Sequence, residues 1–268
     1  MDIYLRNQNI INGLDLDTPI YKYIKLKYVL QMVCNRQLYF DKMSSWADVY
    51  ENFFLKEKFL MPEGTVVSAE SLISGVFGQC WSSLEESDAM WRIYSAYDYL
   101  NRFQPRGGED GNQLFAEIVS VRIKTSARKL FEATYLDNMD AVRVYIGSVD
   151  YKSEDEINDF IRGIQPLKPI DINLAWTHSM FIKRNPFAHE SEVRSIVLRN
   201  PDDPEFGNQF LLFNINPADF IEEVVIDPRL RPDDFKYVND KLIQVGIDSD
   251  IIRQSQLYSF EQQDIMLE

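Results

Sequence analysis

The residues best equipped for chemistry crowd one short stretch, Phe181 to Arg194, which holds Lys183, Arg184, His189, Glu190, Glu192 and Arg194. A strand over Glu192 to Leu198 alternates its faces, so Glu190, Glu192, Arg194, Ile196 and Leu198 share one side and Val193, Ser195 and Val197 the other. A glutamate and an arginine therefore stand together where a strand leaves a loop. Two roles fit that placement. One is a structural ion pair at the end of a sheet. The other is a catalytic carboxylate whose pKa and orientation Arg194 sets.

A second cluster runs from Cys80-Trp81-Ser82 to Met90-Trp91-Arg92-Ile93-Tyr94. It reads either as a packed aromatic helix or as a stacking platform for a planar ligand, with Trp91 to one side of the apolar stripe. Asp48 and Glu51, in the loop after Leu38-Tyr39-Phe40, form a third and weaker group. Metal chemistry finds little support, because His178 and His189 are eleven residues apart and no HExxH or calcium-loop pattern occurs. Cys80 reads as a small core residue of an apolar strand, and there is no GxSxG elbow.

The elements that must position these residues follow from periodicity. Leu26, Val29, Leu30 and Val33 mark one helix face between two short strands, Tyr21 to Ile24 and Leu38 to Phe40. A short aromatic helix is expected near Phe53 to Phe59 and a strand over Phe77 to Trp81. Ser83 with Glu86 reads as a capping box opening the helix of Met90, Ile93, Tyr94 and Tyr97. Pro105 to Gly111 reads as a surface loop, Ile118 to Ile123 as a strand, and Ser126 to Phe131 as a short helix. Ala141 to Tyr151 reads as a strand pair or one bent strand. Ser153 and Glu156 cap a helix to Gly163, and Asn173 to Lys183 reads as a further helix. Strands at Glu192 to Leu198, Phe210 to Ile215 and Glu223 to Ile226 precede a helix on Phe235, Val238 and Leu242, then a polar tail, 261–268. Helices and strands without a strict βαβ rhythm predict an α+β fold, one domain over 1–268, with a mixed or antiparallel sheet core flanked by several helices.

The 268 residues carry 28 Lys+Arg against 42 Asp+Glu, a net charge of −14. That field repels a polyanion, so nucleic acid is disfavoured as a partner relative to a protein or a small molecule. Two cysteines exclude a disulfide scaffold. No apolar run reaches membrane-spanning length and the first residues lack a signal-peptide pattern, so the expectation is a cytoplasmic protein with no membrane partner.

In their order, Tyr21-Lys22-Tyr23, Leu38-Tyr39-Phe40 with the acidic loop to Glu51, Cys80-Trp81-Ser82, Met90-Trp91 with Tyr94, Glu190-Ser191-Glu192-Val193-Arg194 and Val225-Ile226-Asp227-Pro228 resemble a bacterial family known as domain of unknown function 2971, over about residues 20–258. Members of that family sit near defence and mobile-element genes, which implies a role in conflict between bacteria and phage. The chain is more distantly similar to ADP-ribosyltransferases, particularly the DarT-like toxins that modify DNA. That similarity implies an ADP-ribosyltransferase-like fold, NAD as substrate and no resident cofactor or metal. It makes Glu192 the catalytic glutamate, supported by Arg194, and gives Lys22, Tyr23, Trp91, Tyr94 and Glu190 to substrate binding. Where such enzymes often carry His or Arg on the first strand, this chain has Lys22. The alternative is a non-catalytic module that binds a small molecule or a protein, and an NAD glycohydrolase is a third reading.

Overall fold

A strand buried on both faces calls for apolar or paired side chains, and Glu192–Leu198 supplies Val193, Ile196, Val197 and Leu198 beside the ion-paired Glu192 and Arg194, while the buried Ser195 hydroxyl has no hydrogen-bond partner among the described residues. In the computed structural model it is the centre of the first of two compact units, made of Met1–Tyr21, Arg36–Glu85 and Thr125–Asn216. The structure describes residues 9–46, 48, 50–97, 108–135, 143–166, 168, 171–262 and 265–266. The central strand pairs antiparallel with Val76–Ser82, from Glu192 opposite Ser82 to Leu198 opposite Val76. On its other edge it pairs antiparallel with Arg143–Ser148, which in turn runs parallel to Ile10–Ile11. Val76–Ser82 also pairs with Gln37–Lys42, and that strand with Phe210–Asn214. Gly78 is required here, because a Cβ would come within 2.9 Å of the Trp46 ring packed over the strand.

A separate parallel ribbon joins Asp150–Lys152 to Ile182–Arg184 and sets Tyr151 opposite Lys183. The helix Glu154–Gly163 begins directly after it, with the Ser153–Glu156 capping box formed reciprocally. Phe53, Phe54, Ile157, Met180, Phe181 and Ile196 belong to one buried apolar cluster. Each large side chain so buried contributes about 1.5–3 kcal/mol.

The second unit holds Lys22–Asn35, Glu86–Lys124 and Pro217–Glu268. Its strands include residues 22–25 of the strand Pro19–Lys25, residues 120–124 of the strand Ser120–Ser126, antiparallel to Glu223–Ile226, and Ile252–Gln254 parallel to the latter. Helices Leu26–Asn35, Asp88–Tyr94, Gly108–Ile118 and Pro232–Gln244 accompany them. Both units combine antiparallel and parallel pairs with helices, so the fold is α+β with a mixed sheet. Among the described residues no helix is long and apolar enough to cross a membrane.

Several local expectations need correction. The helix of Met90 and Trp91 starts at Asp88, capped by Ser87, whose hydroxyl accepts the Met90 N–H; Ser83 instead donates to the Ser191 carbonyl. Gly108 opens a helix where a loop was expected, while 105–107, 141–142 and the tail positions 263–264 and 267–268 lie outside the described residues. The helix expected over Asn173 to Lys183 ends at Ser179. The Met180 N–H is shared between the Trp176 and Thr177 carbonyls, which tightens the last turn and frees Ile182–Arg184 to join the ribbon. Glu190 belongs to a 3₁₀ turn, Asn185–Glu190, and not to the strand.

Candidate carboxylate site

Strand periodicity brings Glu192 and Arg194 to one face, and the Arg194 side chain is 0% exposed there. A buried guanidinium must have its donors satisfied. Nε donates to Glu192 Oε2 at 2.8 Å, Nη1 to Glu51 Oε2 at 2.9 Å and to the Met180 carbonyl at 2.7 Å, and Nη2 to Glu51 Oε1 at 2.8 Å. The Trp46 ring covers the guanidinium, 5.1 Å from its centroid. Arg194 is thereby a positioning group, committed to protein acceptors. Glu51 reaches it from the turn before helix Phe53–Lys56, where Asn52 takes the left-handed conformation at φ 58°.

The parallel ribbon delivers the second cation. Lys183 Nζ donates to Glu190 Oε2 at 2.6 Å and to Glu192 Oε1 at 3.0 Å, and lies 4.7 Å from the Phe187 centroid. Glu51, Arg194, Glu192, Lys183 and Glu190 thus form an unbroken chain of alternating charge, three carboxylates to two cations. The side chains of Glu51 and Glu192 are 6% and 8% exposed, and that of Glu190 is 18% exposed.

The backbone between the two neighbouring carboxylates is clamped. Ser191 sits in the left-handed region at φ 43°; its carbonyl accepts from the Ser83 N–H at 2.9 Å and that of Glu190 from the Ser82 hydroxyl at 2.7 Å. The Glu192 N–H donates to the Tyr151 hydroxyl oxygen at 2.8 Å.

The electrostatics separate the two glutamates. Burial pushes the Glu192 carboxyl up, but the charges of Arg194 and Lys183 and hydrogen bonds from Glu190 and Lys183 outweigh it and hold it at about 2. Glu190 moves the other way: burial and its hydrogen bond to Glu192 raise it against the pull of Lys183. Burial would lower Lys183, yet the two carboxylates hold it above its ordinary value. One acid is kept ionised beside one that binds its proton more readily. Among the described residues no cluster of three or more His, Cys, Asp or Glu is arranged to hold a metal ion.

Glu190, Glu192 and Arg194 fall together in the first unit, whereas Lys22, Tyr23, Trp91 and Tyr94 belong to the second. Trp91 is fully buried, edge-on to Tyr23 at 4.9 Å, with its indole N–H donated to Glu86. Lys22 is partly exposed and Tyr94 exposed. Sequence reasoning placed Lys183 in the chemical cluster without giving it a role, passed over Tyr151 and ranked Glu51 low. The available signal was the acidic residue after Asp48 together with an aromatic run, which places a carboxylate at the start of a buried turn.

No family model matches the chain, and no curated protein matches it; the resemblance to domain of unknown function 2971 rests on its ordered motifs. Among solved structures the chain is similar to DarT of Thermus sp. 2.9 in complex with NAD+, at 13% identity and a TM-score of 0.33, over 87% of this chain and 92% of that one. It is similar to the same protein in complex with carba-NAD+ at 12% identity and a TM-score of 0.32, over 90% and 100% of the two chains. It is similar as well to that protein in complex with ADP-ribosylated ssDNA, at 13% identity and a TM-score of 0.33, over 88% and 97%.

Proposed function

We propose that this chain is an NAD-using, ADP-ribosyltransferase-like enzyme, serving in a setting of bacterial conflict or defence. The observation that carries the reading is the pair of neighbouring carboxylates, Glu190 and Glu192, tied to one lysine and driven to opposite pKa shifts. Such a pair assigns its own roles. Glu192, held ionised, stabilises the positive charge that develops at the ribose C1′ as the C1′–N bond breaks and its electron pair leaves with nicotinamide. Glu190, partly exposed and of raised pKa, takes the proton of the acceptor as the new bond to C1′ forms. Of the residues assigned to ligand binding, Tyr23 and Trp91 are buried, and the reading draws on the carboxylates of the first unit alone.

A second reading, a non-catalytic binding module, draws on the fact that both Glu192 oxygens already accept hydrogen bonds from Arg194 and Lys183. Nicotinamide release from NAD by the purified chain, with and without cell lysate, separates the two. The enzyme reading expects release by the wild type and at least about a hundredfold loss in Glu192→Gln, assayed at a temperature where circular dichroism finds both folded. No release by the wild type under either condition retires it in favour of the module.

A further inference from the structure

Tyr151 pairs with Lys183 across the ribbon, so its phenol arrives on the side of the carboxylates that Lys183 holds. Its oxygen accepts the Glu192 N–H at 2.8 Å. Among the described residues its own proton meets no acceptor, although the side chain is only partly exposed. Burial and the charges of Glu192 and Glu190, against the hydrogen bond from the Glu192 amide, push the phenol up to about 12. It is a donor and not a base at neutral pH. A donor that no described residue accepts, set beside two carboxylates, favours one kind of ligand. Phosphate or carboxylate would be repelled by Glu190 and Glu192, whereas a hydroxyl accepts from the phenol and donates to the carboxylates.

The geometry points to Tyr151 as a sugar-binding residue of this site: its O–H donates to a ribose hydroxyl oxygen and holds the sugar over the Glu190–Glu192 pair. This rests on the reading above for the identity of the sugar as that of NAD; recognition of a hydroxyl does not.

The test is calorimetric titration of the full chain with NAD, ADP-ribose, ribose 5-phosphate and, as a probe without a sugar, nicotinamide. Tyr151→Phe is expected to weaken the sugar-bearing probes about tenfold and to leave nicotinamide unchanged. Equal weakening of nicotinamide, no weakening of the sugars, or a wild type that binds none of the sugars overturns the proposal. A wild type that binds ADP-ribose without releasing nicotinamide from NAD removes the transferase reading alone. Because the Phe variant also strips the Glu192 N–H of its acceptor, 3,5-difluorotyrosine at position 151 gives an independent arm. It keeps ring and oxygen but acidifies the phenol. Affinity for ADP-ribose should then fall as pH is raised through the phenol's ionisation while the wild type stays level, and two level profiles overturn the proposal.

Discussion

Among the described residues each unit holds a strand arginine buried to 1% exposure or less, and the two are employed differently. Arg194 in the first unit and Arg122 in the second have side chains 0% and 1% exposed. Arg122 pairs with Glu223 and lies 3.9 Å from Glu86, and those acids keep 20% and 30% of their side-chain surface. Glu223 is also held by Arg253 at 2.7 Å. The acids on Arg194 keep less than half of that exposure. An arginine stays charged in either setting, so burial of the acids is what separates the two clusters. Acids that still touch water are screened and replaceable, while desolvated ones have ionisation set by their neighbours. That contrast makes the Arg194 cluster the chemical candidate and the Arg122 cluster a brace.

The largest effect should come from removing the shared cation. Arg194→Met strands Glu51 and Glu192 in the interior and is expected to cost about 3–5 kcal/mol by urea denaturation. Arg122→Met, whose acids can rehydrate, should cost about half as much; an equal cost would break the comparison. Acid titration sharpens it. Glu192 is depressed from 4.5 to about 2 when folded, so its stabilisation is complete above about 4.5 and is lost as pH falls through about 2. Glu190 is raised and acts with opposite sign, its contribution being present at low pH and fading as pH rises through its folded value. The melting temperature of Glu192→Gln, followed from pH 7 downward, should therefore converge on that of the wild type as the acid limb is descended. A constant gap would place the carboxylate's worth elsewhere than in its charge. Gly78→Ala drives a methyl into the Trp46 ring that roofs Arg194 and should cost about 1–3 kcal/mol in thermal or chemical unfolding. The smallest change is Ser153→Ala, which removes one half of the capping box after the Tyr151 strand, at about 1 kcal/mol by the same measurement.

The readable parts of this chain were those whose causes are local. Alternation gave the Glu192–Leu198 strand and the shared face of Glu192 and Arg194, and the Ser-x-x-Glu spacing gave the helix after Ser153. The same spacing misled at Ser83, because Ser83 is engaged by Ser191, far along the chain, and Ser87 is the residue at the actual start. The bidentate partner of Arg194 is 143 positions away, and no periodicity connects them. The roles of Lys183 and Tyr151 were hidden by a three-residue parallel ribbon, too short to leave a pattern and overprinted by the helix expected over Asn173 to Lys183. Trp91 shows the converse: a residue judged off the apolar stripe is buried because Tyr23 and Glu86 come to meet it from other elements.

The left-handed Ser191 has a consequence for the ways this gene can vary. The strand's alternation starts at Glu192, so one residue inserted or deleted at 191 would leave every apolar position of Glu192–Leu198 on its own face. It would nonetheless swing Glu190 away from Lys183 and break the alternating row of charges. The one-residue spacing between the two glutamates is thus a constraint that strand alternation does not impose. Length variation in this loop would mark a change in the carboxylate pair and its clamp with the strand's faces preserved.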